Sequence, residues 1–540
     1  MCAIQGSWHG RQGALKHCEQ QGRRSIALQL DHPQTSRTDQ IARAVLIGML
    51  CAASAFICLR GATGAVADPD VGWHLRTGEW ILQHHAIPHA DPFSRVSAGS
   101  PWQAYSWLFD LLLLKVYAWM NLRGLLVFTA AMMVLIAAAV YHLLSRLQAD
   151  FTQRAVLTVA VMFCLSRMST PRPWLFTILF FAIEMDILMH ARREGGSREL
   201  LWLPPLFALW ANVHIQFVDG LLVLGIAAIE PLLLRWWKSQ TKCPPARKLW
   251  LTLGACAAAV CLNPYGPGIY KIAWQMGSQA GVLDTVSEMM ALPFRAPADF
   301  VLLFLALAAA GVLFRFRQLP PFETLMLVLA AVLSFRSRRD LWVMAITAGA
   351  ILAAGLPARA EQEDRGKQPL WALALSGLTA AAAFAASLLL LHVNNATLQA
   401  MLAEKMPVQA VEVVKNRHYS GALFNTYDWG GFLIWNLREP VSIDGRAALY
   451  GDRAIERSRD TWGGGAKWAA DPDLQSAGVV IAPDDAALTQ LLRTDARFEL
   501  AYEDKVAAVF VVRREAKNGE SNVAELHRAG SDAGSVKQLP

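Results

Sequence analysis

Long apolar runs separated by short polar segments dominate the chain between residues 42 and 391. The runs lie near 42–62, 123–144, 154–168, 173–190, 200–216, 217–236, 248–263, 299–315, 321–335, 340–356 and 370–391. A helix needs roughly 20 apolar residues to cross a bilayer, so the pattern predicts about eleven transmembrane helices, several of them short. Residues 105–120 are also apolar, and we expect them to form a helix at the membrane face rather than a further span.

The charges in the loops predict the orientation of these helices. Arg and Lys accumulate in every second loop, from Arg146 to Lys367. Cytoplasmic loops of membrane proteins are enriched in these residues, so the pattern places the N-terminus in the cytoplasm. Segments 63–122, 263–298 and 392–540 are then expected on the outer side of the membrane.

The composition excludes several classes of protein. The chain has 540 residues, of which 54% are hydrophobic and only 17% are charged. This favours a polytopic membrane protein over a soluble enzyme with one anchor. The net charge of +7 is accounted for by basic loops, and no nucleic-acid-binding motif accompanies it. The eight cysteines show neither a CxxC pair nor metal-ligand spacing, so no zinc site or disulfide framework is predicted.

The pattern changes near Asn394, where a second domain begins. Short apolar segments predict strands near 422–425, 432–435, 441–443, 478–482 and 506–513. The predicted organisation is a disordered cytoplasmic tail over 1–41, a transmembrane domain over 42–391, an external α/β domain over 392–516 and a disordered tail over 517–540. The fold class is therefore an α-helical polytopic membrane protein with a large first external loop and a small C-terminal α/β domain.

Asp68-Pro-Asp70 follows the first apolar run directly and is the leading candidate for chemistry. A carboxylate at the mouth of a membrane cavity can act as a general base towards an acceptor hydroxyl. It can also ligate a divalent cation, Mg²⁺ or Mn²⁺, which leaves a metal cofactor as an open alternative to none. A structural role remains open as well, because Asp often caps the start of a helix, here expected from Trp73 to His84.

Further polar residues map to the same predicted outer face. The first loop adds His74, Arg76, Glu79 and Asp91, while later loops add Arg172, Asn212, His214 and Glu288. The histidines of the first loop do not show the spacing of a standard metal site.

An arginine cluster lies on the side of the membrane where the positive-inside tendency does not expect one. Arg336, Arg338 and Arg339 occupy a short loop assigned to the outer face. Arginine forms paired hydrogen bonds with phosphate oxygens, so a pyrophosphate or lipid headgroup is a candidate ligand. Contact with ordinary membrane lipids is the alternative reason for the cluster.

The motif DPDxxWHLRTGEWIL…IPxxDPFS over 68–94 resembles the polytopic glycosyltransferases of the GT-C superfamily. The resemblance extends through Arg172-Pro, Asn212-Val-His214 and Ser334-Phe-Arg-Ser-Arg-Arg-Asp-Leu341. The C-terminal segments Asn425-Thr-Tyr-Asp-Trp-Gly-Gly and Ile443-Asp-Gly-Arg446 are similar to an external domain in a bacterial branch.

The resemblance implies transfer of a sugar from a polyprenyl-phosphate donor to a glycan, lipid or protein acceptor at the outer face. Protein O-mannosyltransferases and aminoarabinose transferases carry an adjacent acidic pair in the first external loop. The spacing from Asp70 to His74 matches theirs best and implies that Asp70 is the base. Here the acids are separated by proline, so the choice between Asp68 and Asp70 stays open.

These observations predict an inverting glycosyltransferase of the bacterial cytoplasmic membrane, with its C-terminal domain in the periplasm. A lipid or glycan transporter, or an envelope assembly protein with an external binding domain, is the non-catalytic alternative. Transporters often contain repeated halves with broken helices, which this chain does not show. A polymerase or ligase acting on lipid-linked glycans would share the same features.

Overall fold

The structure, a computed structural model, describes residues 36–148, 150–236, 243–278, 286, 288–315, 319–357, 369–419 and 421–513. Each of the eleven apolar runs forms a helix in a bundle. In chain order the bundle helices and the helices between them are α1 Arg37–Arg60, α2 Ala62–Val66, α3 Val71–His84, α4 Trp107–Met120, α5 Leu122–Leu147, α6 Phe151–Leu165, α7 Trp174–Glu194, α8 Leu203–Val213, α9 Phe217–Trp236, α10 Ala246–Val260, α11 Ile269–Gly277, α12 Pro297–Leu313, α13 Pro321–Arg336, α14 Leu341–Gly355 and α15 Leu370–Leu390.

Five of the described helices, α1, α5, α7, α9 and α15, are long and apolar enough to cross a membrane. The chain is therefore a multi-pass membrane protein, as expected. The other bundle helices are shorter, so the number of about eleven spans stays a prediction. The side of the membrane on which each end lies also stays a prediction.

The first helix begins earlier than the sequence pattern predicted. Ser36 caps α1 by accepting a hydrogen bond from the Asp39 N–H at 3.1 Å. Residues 37–41, assigned to the cytoplasmic tail, are therefore helical, because a good N-cap extends a helix beyond its apolar stretch. The remaining predicted tail residues, 1–35, lie outside the described residues, and so does the predicted C-terminal tail.

The segment 105–120 forms the 14-residue helix α4, which packs against α3. Their contact is close, because a Cβ added at Gly78 would lie 2.5 Å from the Asp110 carbonyl oxygen. Its length agrees with a helix lying beside the bundle rather than a span. The two helices bring the acid segment into contact with the bundle.

The C-terminal domain contains helices and a four-stranded sheet. Its elements are α16 Asn395–Ala403, α17 Val408–Asn416, β1 Ala422–Asn425, α18 Tyr427–Leu437, α19 Ala447–Trp462, α20 Pro472–Gln475, β2 Ala477–Pro483, α21 Ala487–Leu492, β3 Phe498–Glu503 and β4 Ala507–Val512. The strand order is β1-β2-β4-β3, with β1 parallel to β2 and the other pairs antiparallel. The small C-terminal sheet agrees with the predicted α/β fold of this region, while the bounds of the domain and its external location stay predictions.

Two predicted strands of this domain are wrong, and one strand was missed. Residues 432–435 lie within helix α18, whose packing against α3 overrides their β propensity. Residues 441–443 form only an isolated bridge, between Val441 and Ser94 of the first loop. The missed strand β3 is partly exposed and carries charged residues, so it lacks the apolar signal of a buried strand.

Candidate active site

The acid segment between α2 and α3 is organised around one arginine. Nε of Arg172 donates to both carboxylate oxygens of Asp68, at 2.9 and 2.7 Å. Nη1 of Arg172 lies 2.8 Å from Asp70 and 2.8 Å from Glu288. One guanidinium thus bridges three carboxylates from the first loop and from segment 263–298, which places these segments at the same end of the bundle.

Asp68 and Asp70 differ in what their carboxylates do. Asp68 also accepts the backbone N–H of Asp70 at 3.0 Å, so it braces the turn before α3. Asp70 occupies the N-cap position of α3, but its carboxylate accepts no capping hydrogen bond. Asp70 instead lines a cavity, which favours it over Asp68 as the group that meets a ligand.

Burial raises the pKa of Asp70 to about 7. The Arg172 guanidinium acts in the opposite direction, while the neighbouring charges of Asp68 and Glu288 raise the pKa further. A carboxyl group with a pKa close to neutral pH has the acidity that suits a general base.

The cavity has a volume of about 370 Å³ and lies where the first loop, segment 263–298 and the C-terminal domain meet. Asp70 lines it together with Arg336 and Arg339, so the acid and the predicted phosphate cations share one space. Arg172 and Arg339 both approach the Trp174 ring, at 4.8 and 5.7 Å from its centroid.

Arg339 is held by a histidine and not by an acid. Its Nη2 lies 3.3 Å from Nε2 of His214, whose Nδ1 lies 2.8 Å from the Thr177 hydroxyl. Guanidinium can only donate, so His214 accepts with Nε2 and carries its proton on Nδ1.

Two arginines of the cluster remain available to a negative ligand. The Nε atom of Arg339 is buried without a hydrogen-bond partner, and its guanidinium forms no ion pair with a described carboxylate. The Arg336 side chain also lines the cavity and makes no hydrogen bond or salt bridge within the described part of the chain, although its charge acts on Asp340. Both are suited to hold a phosphate.

His74 lines the cavity and is paired with an acid that the sequence analysis missed. Its Nδ1 lies 2.5 Å from Asp110 of α4, and its ring stacks on Trp73 at 3.6 Å between centroids. Burial raises the pKa of Asp110 well above its usual range and lowers that of His74. The one signal for Asp110 in the sequence was its position at the start of an apolar helix, where a charged side chain is energetically costly.

Five other predicted binding residues lie away from the cavity lining. Glu79 of α3 pairs with Arg76 and with Arg438 of the C-terminal domain. Asn212 accepts from the Trp107 indole at 2.9 Å and donates to the Leu262 carbonyl at 2.8 Å.

Arg338 donates to the Ala291 carbonyl at 3.3 Å, so it braces segment 263–298. Asp91 is buried against Arg446 at 2.7 Å. These residues connect loops and domains. That role depends on contacts between residues that are far apart in the sequence.

The C-terminal domain supplies part of the cavity wall, through Tyr427, Gly445, Arg446 and the first turn of α19. In the sequence, the segments containing Tyr427 and Gly445 stood out only because they resemble the external domain of a bacterial branch of the superfamily. A second acidic pair, Asp219 and Asp340, also lines the cavity and was missed in the sequence. The Gln216 amide connects the two acids, donating to Asp219 at 3.4 Å and to Asp340 at 2.8 Å.

The described residues contain no group of three or more His, Cys, Asp or Glu side chains arranged to hold a metal ion. Arg172 forms ion pairs with Asp68, Asp70 and Glu288, so one positive charge faces three carboxylates. A divalent cation at this acid cluster stays an expectation.

Asp91→Asn is expected to lower the free energy of unfolding by about 2 kcal/mol, because Arg446 loses a charged hydrogen-bond acceptor in a buried site. Thermal unfolding of the detergent-purified protein measures the change. Glu499→Gln, at an exposed strand position, is the matched control and should unfold as wild type does. An Asp91→Asn midpoint equal to wild type would contradict the assigned role of this ion pair.

The comparisons with known proteins identify the fold. No family model matches the chain, and no curated protein matches it. The structure is similar to the crystal structure of the oligosaccharyltransferase of Archaeoglobus fulgidus in the apo form, with a TM-score of 0.50 and 12% sequence identity. The likeness covers 83% of this chain and 70% of that chain. The likeness shows that the two chains share a fold.

Proposed function

We propose that the protein is a membrane glycosyltransferase that moves a sugar from a polyprenyl-phosphate donor to an acceptor at the outer face of the bacterial cytoplasmic membrane. The observation that carries this proposal is the cavity shared by Asp70 and two arginines that form no salt bridge with a described carboxylate, Arg336 and Arg339. A base and a phosphate-binding site within one space are the groups that displacement of a lipid phosphate requires. The fold shared with an oligosaccharyltransferase supports the same reaction class.

The proposed reaction is a single inverting displacement. The acceptor hydroxyl oxygen attacks the anomeric carbon while Asp70 takes the hydroxyl proton. The bond from that carbon to the phosphate oxygen breaks, and its electron pair leaves with the lipid phosphate. Arg339 and Arg336 stabilise the charge that develops on this leaving group. A phosphate leaves readily, so no second acid is needed to protonate it.

The lining of the cavity also accommodates a lipid-linked donor. Ala273 and Met276 of α11, together with Met289 and Leu333, form an apolar part of the wall. Polar and charged groups such as Asp70 and Arg339 also line it. A ligand with both an apolar chain and a phosphate matches this mixed lining, since apolar groups gain free energy by leaving water.

The direct test is sugar transfer by the purified full-length protein in liposomes containing a labelled polyprenyl-phosphate sugar. We expect the label to move to an added glycan, lipid or protein acceptor and polyprenyl phosphate to be released. A second set with EDTA, followed by Mg²⁺ or Mn²⁺, decides whether a cation takes part. Flipping of the labelled donor across the bilayer without transfer to any acceptor would instead favour the transporter alternative.

The rate of transfer is expected to depend on pH through Asp70. The base must be ionised, and its pKa is raised to about 7. kcat/KM should therefore fall about tenfold per pH unit below pH 7 and level off above it. The measurement is kcat/KM between pH 5 and about 9 in the same liposomes. A profile that is flat down to pH 5 would contradict the assignment of Asp70 as the base.

A further inference from the structure

The C-terminal domain approaches the acid segment through glycines, with no side chain between the two backbones. A Cβ added at Gly431 of α18 would overlap the Pro69 carbonyl oxygen, and one added at Gly72 would overlap the Gly431 carbonyl oxygen. A Cβ added at Gly445 would overlap Oδ1 of Asp70. Glycine is required where one backbone must lie this close to another group. The backbone of Gly445 therefore covers one face of the Asp70 carboxylate.

The segment around Gly445 is held rigidly in this position. The Tyr427 hydroxyl donates to the Gly445 carbonyl at 2.9 Å. The next residue, Arg446, forms a buried ion pair with Asp444 at 2.7 Å and a second with Asp91 of the first loop at 2.7 Å. Its guanidinium also lies 4.7 Å from the centroid of the Trp102 ring. These contacts join the domain to the membrane part next to the acid.

The carboxylate of Asp70 is thus confined between two fixed groups. Arg172 lies 2.8 Å from Oδ2, and Gly445 lies against Oδ1. The Asp70 side chain keeps only 15% of its surface exposed, and that part faces the cavity. A carboxylate held on two sides has little rotational freedom, which favours a constant orientation towards a substrate.

We propose that the C-terminal domain is part of the active site and that Gly445 positions the Asp70 carboxylate. The inference rests on the proposed role of Asp70 as the base. It assigns a function to a domain that could otherwise only bind an acceptor or stabilise the bundle. Gly445 is a positioning residue because it acts through Asp70 and not on a substrate.

Disrupting the close contact between Gly445 and Asp70 should lower the pKa of Asp70. An added methyl group pushes the carboxylate towards Arg172 or pushes the domain away and admits water. A closer cation and weaker burial both lower the pKa of a carboxyl group. The charged or titratable groups that surround Asp70 are Asp68, Tyr105, Arg172, Glu288 and Tyr427. All of them remain in the variant.

The test is Gly445→Ala in the full-length protein, read by labelling of Asp70 with a hydrophobic carbodiimide, which modifies the protonated carboxyl group. Mass spectrometry follows labelling against pH, with Asp70→Asn as the blank. The wild-type midpoint should lie near pH 7. We expect the Gly445→Ala midpoint about 1 unit lower and kcat about 10- to 100-fold lower, with KM little changed. Gly268→Ala, where a Cβ meets no atom within 4 Å, is the matched control and should behave as wild type.

The labelling readout separates this inference from the proposed function. If Gly445→Ala folds and keeps the wild-type labelling midpoint, the inference is overturned even if the wild type transfers sugar. If the midpoint moves but the wild type transfers no sugar, the contact is supported and the proposed function fails. Should Gly445→Ala not fold, Tyr427→Phe decides, because it removes the hydrogen bond to the Gly445 carbonyl. A smaller shift in the same direction supports the inference, and an unchanged midpoint overturns it.

Discussion

Asp70→Asn is expected to reduce kcat for sugar transfer by about 10²- to 10⁴-fold, the usual contribution of a positioned general base. The amide has nearly the same size as the carboxylate but cannot accept the acceptor hydroxyl proton at neutral pH. Arg172 keeps Asp68 and Glu288 as partners, so the fold should persist. Initial rates in liposomes at saturating donor measure the effect.

The control for this variant is Glu439→Gln, an exposed carboxylate of the C-terminal domain. It should transfer sugar at the wild-type rate. Thermal unfolding of both proteins shows whether a lost rate reflects lost folding. Full transfer by a folded Asp70→Asn protein would remove Asp70 from the mechanism and reopen the choice of base, which the sequence left between Asp70 and Asp68.

Arg339→Gln is expected to lower kcat by about 10²- to 10³-fold, comparable to the loss of one preorganised group that stabilises developing charge. The guanidinium lines the cavity and forms no salt bridge with a described carboxylate, although Asp219 and Asp340 lie within range of its charge. Its position places the charge where a leaving phosphate can meet it. Glutamine retains an N–H donor, on a shorter side chain, but removes the charge. Single-turnover rates with a polyprenyl-phosphate sugar measure the chemical step separately from donor binding.

The exposed Arg453 offers the matched control, since Arg453→Gln removes the same charge from the surface of the C-terminal domain. Its rate should remain close to that of wild type, because Arg453 is exposed and does not line the cavity. If Arg339→Gln and Arg453→Gln behave alike, the phosphate site lies elsewhere. A loss of donor binding with an unchanged single-turnover rate would show that Arg339 holds the substrate but does not stabilise the transition state.

The helical part of the fold was predictable because its signal is local. Every apolar run became a helix, since backbone groups in an apolar segment must be satisfied within that segment. The β-rich parts of the C-terminal domain were less predictable. Residues 432–435 have strand-forming side chains, yet they are helical because Gly430 and Gly431 allow α18 to pack tightly against its neighbours.

The candidate site was predictable in its residue types but not in its contacts. Asp70, His74, Arg172, His214, Glu288, Arg336 and Arg339 were all chosen from the sequence, and all line the cavity. Asp91, Asn212 and Arg338 were chosen on the same grounds but connect structural elements. In the sequence, a polar residue at a helix end that binds a ligand cannot be told from one that connects two structural elements, because its partner lies far away in the chain.

The sequence by itself determined that this chain is a helical membrane protein with an acidic segment and an arginine cluster between helices. Long apolar runs and interrupting charges are properties of neighbouring residues, so they can be recognised without the fold. Only the tertiary structure decided that Asp70, and not Asp68, faces the cavity, and that Gly445 lies against it. That choice depends on close packing between segments more than 300 residues apart, which no local pattern encodes.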